Sequence, residues 1–67
     1  QYVIDAVLVR TMKTRKKLSH NELVAEVTRQ LRFPVQPIDI KKSIEVQIER
    51  EYLQRSQADP SVYEYLA

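Results

Sequence analysis

The chain has 67 residues with 11 basic and 9 acidic side chains, a net charge of +2, and this length allows one domain with a modest core. It contains no Cys, no Gly and a single His, which excludes disulfides, thiol nucleophiles, Cys-based zinc sites and glycine-rich phosphate loops. No apolar run approaches the roughly 20 residues that cross a bilayer. We therefore expect no cofactor, no metal and no membrane partner.

The first predicted element is a helix over residues 2–16. This segment contains no Pro, and its apolar residues recur at the spacing of one helix face. The predicted core stripe consists of Ile4, Val7, Leu8 and Met12. Basic residues gather in the last turn, where positive charge complements the negative end of the helix dipole. The simplest interpretation of that basic run is helix termination.

The second predicted helix covers residues 20–32. Ser19 and Glu22 have the spacing of a capping box, in which each side chain binds a free backbone N–H at the start of the helix. Leu18 and Leu23 flank this box as a hydrophobic staple. One side of the helix carries Leu23, Val24, Val27 and Leu31.

A connector over residues 33–36 leads to a third predicted helix over residues 37–51. Pro37 suits its first turn because the missing N–H is not needed there. The buried stripe of this helix consists of Ile40, Ile44 and Ile48. The pattern then changes to period two, which predicts a hairpin of strands over residues 52–55 and 62–66.

A short strand at residues 17–19 completes a small sheet with this hairpin. The predicted fold class is α+β, a winged helix in which three helices are followed by a C-terminal β-hairpin wing. Neither a repeat nor a composition change divides the chain. We therefore expect residues 1–67 to form a single domain.

Lys13 is the surface residue of the first helix that we single out. On a helical wheel with about 100° per residue it lies almost opposite the core stripe, so we expect it to be exposed. Arg10, Lys16 and Lys17 lie three or four residues away, and no carboxylate at a neighbouring helical position can pair with Lys13. An apolar strip on the same face either contacts a partner or packs on another part of a longer chain. The strip consists of Tyr2, Ala6 and Val9.

The third helix and the wing raise DNA binding as an alternative function, because helix-turn-helix relatives place this helix in the major groove. Its exposed face includes two carboxylates, which repel phosphate and have the spacing to pair with Lys41 and Lys42. The wing contributes Arg55, whereas its loop contributes Asp59. This mixed charge favours a protein partner and leaves DNA binding as the alternative. The charged residues of the helix face are Lys41, Lys42, Glu45, Glu49 and Arg50.

The single histidine, His20, has no second His and no Cys with which to form a metal cluster. Its position in the first turn of the second helix favours a surface or half-buried structural role. Tyr63 and Tyr65 share one face of the last strand, and Tyr52 begins the hairpin. We interpret these rings as core and rim side chains rather than as a binding platform.

Residues 8–16 read Leu-Val-Arg-Thr-Met-Lys-Thr-Arg-Lys and resemble the neddylation-site motif of cullins, usually written I-V-R-I-M-K-x-R-K. The lysine that accepts the modifier in that motif aligns with Lys13. The resemblance covers nearly the whole chain. It continues through Leu-Ser-His-Asn at 18–21, Ile-Lys-Lys-Ser-Ile-Glu at 40–45, Glu-Arg-Glu-Tyr-Leu-Gln-Arg at 49–55 and the closing Tyr-Glu-Tyr-Leu-Ala.

The connector Gln-Leu-Arg-Phe-Pro-Val-Gln-Pro at 30–37 is most similar to the fourth cullin class, which uses a damaged-DNA-binding adaptor. The last residues match the usual cullin terminus, so we expect Ala67 to be the native C-terminus. The chain departs from the motif at Leu8 and Thr11, where the family has Ile. We expect Thr11 to border the core and its hydroxyl to loosen the packing.

The resemblance implies a regulatory domain of a cullin scaffold in a RING-type ubiquitin ligase, which is not itself an enzyme. Lys13 would accept a ubiquitin-like modifier through an isopeptide bond and so activate the ligase. The implied partners are the RING-box subunit, the neddylation conjugating enzyme with its modifier, a ubiquitin-conjugating enzyme and the cullin exchange factor. The implied location is cytoplasmic and nuclear.

The apolar strip and the basic neighbours Arg10, Lys16 and Lys17 are the predicted partner-docking residues. A modifier tethered at Lys13 is held at high local concentration, so weak contacts with the strip become significant. We therefore expect Val9→Asp to leave the fold intact but to change the modification rate or ligase activation.

Overall fold

Three helices and a three-stranded antiparallel sheet form a winged-helix fold, as the sequence predicts. The computed structural model describes the backbone of residues 2–66 and the side chains of residues 3–66. In chain order the elements are α1 (Tyr2–Arg15), β1 (Lys17–Ser19), α2 (His20–Gln30), α3 (Pro37–Glu49), β2 (Leu53–Arg55) and β3 (Val62–Tyr65). Within the described backbone, no helix combines the length and the apolar character that crossing a bilayer requires.

The three helices end one or two residues earlier than their periodicity predicts. Lys16 and Glu51 adopt the left-handed conformation, with φ of 70° and 65°, and such a residue stops the helical hydrogen-bond pattern. Because the chain has no Gly, other residues take these positions, at a cost of roughly 1–2 kcal/mol each. Leu31 ends α2 in an extended conformation, which leads the chain towards Pro34.

β3 lies at the centre of the sheet and pairs with both β1 and β2. The register places Leu18 opposite Tyr63, and both side chains are buried, so the sheet covers one side of the helical core. The wing loop at 56–61 joins β2 to β3. Within it, the Ser61 hydroxyl and backbone N–H donate to Asp59 and lower the pKa of that carboxyl.

The predicted core stripes of all three helices face the interior. Val24 and Ile48 are partly buried at its margin, and the other predicted stripe residues are buried. Among the described residues, the buried apolar cluster consists of Ile4, Val7, Leu8, Met12, Leu18, Leu23, Val27, Leu31, Ile40, Ile44, Leu53 and Tyr63. The core is therefore built from every helix and from each of the three strands.

The start of α2 confirms the predicted capping box and is consistent with the staple. The Glu22 backbone N–H donates to Ser19 Oγ at 3.2 Å, and the Ser19 N–H donates to Glu22 Oε1 at 3.0 Å. The Ser19 backbone N–H, together with the Ser19 hydroxyl, lowers the pKa of the Glu22 carboxyl. Leu18 and Leu23 on either side are both buried, which fixes the angle at which β1 enters α2.

Thr11 borders the core as predicted and is only 4% exposed, but the expectation that its hydroxyl loosens the packing is wrong. The hydroxyl donates to the Val7 carbonyl at 2.8 Å and accepts from Gln30 Nε2 at 2.9 Å. Both hydrogen-bonding functions of the hydroxyl are therefore used. Thr11 links α1 to α2 instead of separating them.

Candidate functional site

Lys13 is exposed near the C-terminal end of α1, as the helical wheel predicts. Within the side chains described, residues 3–66, it makes no ion pair. The adjacent buried residue Met12 is fully enclosed, which anchors the helix beneath the amine. Lys13 therefore presents a primary amine from a rigid element to solvent.

The basic side chains around Lys13 are engaged within the domain. Arg10 donates through Nη2 to Gln30 Oε1 at 3.1 Å, and Lys16 Nζ lies 5.2 Å from the centre of the Tyr65 ring. Lys17 Nζ lies 3.9 Å from a carboxylate oxygen of its cross-strand neighbour, Glu64. The sequence predicts these cations as partner-docking residues, but their contacts inside the fold depend on residues that are distant along the chain.

The apolar strip of α1 differs from the prediction. Ala6 is exposed, but Val9 is half-buried, and the side chain of Tyr2 lies outside the described residues. Asp5, one turn before Val9, accepts a hydrogen bond from Ser43 on α3, so this flank of α1 faces α3. The expectation that Val9→Asp leaves the fold intact is therefore wrong in its premise, because the substitution places a charge on a partly buried flank.

The outer face of α1 also exposes Val3, at 50% of its surface. Val3 lies outside the predicted strip, because that strip contains only side chains close to the angle of Lys13 on the helical wheel. Ala6 and Val3 are thus the apolar residues that α1 presents to solvent among its described side chains.

The charged face of α3 pairs differently from the sequence expectation. Glu45 does not pair with Lys41, and its Oε2 instead accepts from Arg55 Nη2 on the wing at 2.9 Å. The Arg55 guanidinium also lies 5.4 Å from the centre of the Tyr63 ring and donates to the Pro60 carbonyl at 3.4 Å. Arg55 thus holds the wing against α3, and its charge is already balanced there.

His20 takes the half-buried structural position that the sequence predicts. Its Nδ1 lies 2.9 Å from the Tyr63 hydroxyl, which joins the start of α2 to β3. His20 also lines a cleft of about 490 Å³ between α2, α3 and the wing, together with Lys41 and Arg55. Across residues 2–66 no group of three or more His, Cys, Asp or Glu residues is arranged to hold a metal ion.

Comparison with known proteins adds to this geometry. Residues 1–59 match the family model described as the cullin protein neddylation domain. The chain is 54% identical to Cullin-4A of Homo sapiens over 67 residues, covering 100% of this chain and 9% of that protein. It is 58% identical to Cullin-3 of Caenorhabditis elegans over 66 residues, covering 96% of this chain and 8% of that protein. The chain therefore spans less than a tenth of the length of these relatives.

A similar chain also occurs among solved structures, in "A Dual E3 Mechanism for Rub1 Ligation to Cdc53: Dcn1(P)-Cdc53(WHB)". The two chains share 36% identity with a TM-score of 0.85, and the match covers 96% of this chain and 76% of that one. The winged-helix architecture is thus found in a sequence relative as well.

Proposed function

Because the chain belongs to the cullin neddylation-domain family, we propose that it is the modifier-acceptor domain of a cullin scaffold and that Lys13 is the acceptor. The observation that carries this proposal is the state of the Lys13 amine. It is exposed and makes no ion pair with any described residue, whereas Arg10, Lys16 and Lys17 are each engaged. Of these four cations, Lys13 is the one that makes no hydrogen bond, ion pair or ring contact with a described residue.

The proposed reaction is nucleophilic acyl transfer to Lys13. After losing a proton, the amine attacks the carbonyl carbon of the thioester that joins the ubiquitin-like modifier to its conjugating enzyme. A C–N isopeptide bond forms, the C–S bond breaks and the enzyme's thiolate leaves. The domain contributes the amine and a docking surface, while the enzymes orient the reactants and accept the proton. The domain is therefore a substrate and a scaffold element rather than an enzyme.

The proposed partners follow from this role. The structure that pairs Cdc53 with Dcn1 concerns Rub1 ligation, which supports a neddylation-related protein partner for this chain. We extend the proposal to the RING-box subunit, the two conjugating enzymes and the exchange factor of a cullin ligase, in the cytoplasm and nucleus. Modification at Lys13 would then activate the ligase.

The arrangement of charge weighs against the DNA-binding alternative. Arg55 is the basic residue that the wing would bring to phosphate, but it pairs with Glu45 and packs over Tyr63. Using it for DNA would require breaking these contacts and would leave the Glu45 carboxylate facing phosphate. The wing therefore presents a surface of balanced charge, which favours a protein partner over DNA.

The acceptor proposal is tested by modifying the folded domain in solution with the charged conjugating enzyme and a RING-box subunit. We predict one adduct, mapped to Lys13 by mass spectrometry, which Lys13→Arg abolishes. Lys42→Arg is the matched control, because it replaces another exposed lysine on a helix and should leave the adduct unchanged. An equal rate of modification in Lys13→Arg would reject Lys13, and salt-dependent binding to duplex DNA without any adduct would favour the alternative.

A further inference from the structure

A groove between α1 and α2 runs beside Lys13. Its cavity volume is about 210 Å³, and none of its residues belongs to α3 or the sheet. The lining residues are Arg10, Thr11, Thr14, Arg15, Glu26 and Gln30. Arg10 lies three residues before Lys13, and Thr14 lies one residue after it. A protein that reaches the Lys13 amine from the α2 side therefore meets this groove.

The carboxamide of Gln30 connects the two walls of the groove with both of its polar atoms. Its Nε2 donates to the Thr11 hydroxyl at 2.9 Å, and its Oε1 accepts from Arg10 Nη2 at 3.1 Å. The Thr11 hydroxyl is anchored in turn on the Val7 carbonyl. This continuous chain of hydrogen bonds holds the exposed Arg10 guanidinium against α2, on the α2 side of Lys13.

The other end of the groove carries a second arginine in a defined position. Arg15 Nη1 lies 3.1 Å from Glu26 Oε2 and keeps 51% of its side chain exposed. The same Glu26 oxygen also accepts from Arg29. The Arg29 hydrogen bond and the positive charges of Arg29 and Arg15 lower the pKa of the Glu26 carboxyl, so it remains ionised. One carboxylate thus serves two arginines, and the rim next to Lys13 keeps a positive charge.

We infer that Gln30 is a positioning residue of the acceptor surface, which holds Arg10 ready to bind a carboxylate on the protein that modifies Lys13. This inference rests on the proposed function and names the surface through which it operates. A long side chain that is ordered before binding does not have to be ordered during binding, an effect of about 0.5–1.5 kcal/mol, or roughly two- to tenfold in affinity. Gln30 itself need not touch the partner.

The test measures kcat and KM for modification of the domain by the charged conjugating enzyme. Gln30→Met removes both polar atoms but keeps the length and the helix propensity of the side chain. We expect KM for the domain to rise by roughly two- to tenfold with kcat unchanged. Gln57→Met, the same replacement in the exposed wing loop, should change neither constant.

A double-mutant cycle separates positioning through Arg10 from a general structural effect. We expect Arg10→Ala to raise KM at least as much as Gln30→Met, and Gln30→Met to add nothing in the Arg10→Ala background. An unchanged KM in Gln30→Met, or a full additional loss in the double mutant, would overturn the inference. A fall in kcat that accompanies a loss of stability in Gln30→Met would also overturn the inference, because it would indicate a general structural effect. Absence of any Lys13 adduct on the wild-type domain would instead overturn the acceptor proposal, and this inference with it.

Discussion

At the scale of single residues, burial and pairing decide what each polar side chain does. Thr11, Ser43 and Gln47 are all at most 4% exposed, yet their situations differ. The first two hydroxyls bind groups on a neighbouring helix or turn. In contrast, the side-chain amide of Gln47 makes no hydrogen bond to any described residue through either Nε2 or Oε1. An amide removed from water without a partner lowers stability by about 1–3 kcal/mol.

Gln47 is therefore a position where an apolar side chain should be better. We predict that Gln47→Met, which nearly conserves length and volume, raises the free energy of unfolding by about 1–2 kcal/mol. Urea denaturation followed by circular dichroism measures this difference. A substitution to Met at the exposed Gln57 should stay within about 0.5 kcal/mol of the parent domain. Destabilisation by Gln47→Met would mean that the buried amide is satisfied in solution.

At the scale of elements, each helix is defined as much by its ends as by its apolar face. The start of α2 has a complete capping box between Ser19 and Glu22. The backbone N–H and hydroxyl of Ser19 hold the pKa of the Glu22 carboxyl below its ordinary value of 4.5. Because the unfolded chain retains the ordinary value, the ionised carboxylate stabilises the folded domain above about pH 4.5. That contribution is lost as the pH falls through the lowered pKa of the folded state.

We predict that the wild-type domain is more stable than Glu22→Gln at about pH 7 and loses this advantage as the pH falls below about 4.5 and through the lowered pKa of the Glu22 carboxyl. Glutamine is the matched replacement, since its side-chain oxygen can still accept the Ser19 N–H but carries no charge. Urea unfolding of both proteins across this pH range measures the difference. A constant difference between them at every pH would show that the charge of Glu22 does not contribute to the cap.

At the scale of the whole molecule, one small core supports every surface described above. A 67-residue domain has a free energy of unfolding of roughly 3–10 kcal/mol. Leu8 is fully buried in the core, on the helix that carries Lys13. We predict that Leu8→Ala lowers this free energy by about 2–5 kcal/mol. Thermal and urea unfolding should show a domain near its stability limit. Val3→Ala, on the exposed side of α1, is the control and should change stability by less than about 1 kcal/mol.

The sequence by itself determined the helix faces, the capping box, the hairpin and the exposure of Lys13, because all of these depend on residues a few positions apart. It did not reveal that Thr11 binds Gln30, that Glu45 pairs with Arg55, or that Val9 is half-buried. These features join elements that are distant along the chain, as in the contact between Arg10 and Gln30, which are 20 residues apart. Only the packing of the elements decides which side chains meet there. The motif singles out Lys13 as the proposed acceptor, and only the tertiary structure shows that, among the described side chains, it has no ion pair while the cations around it are engaged.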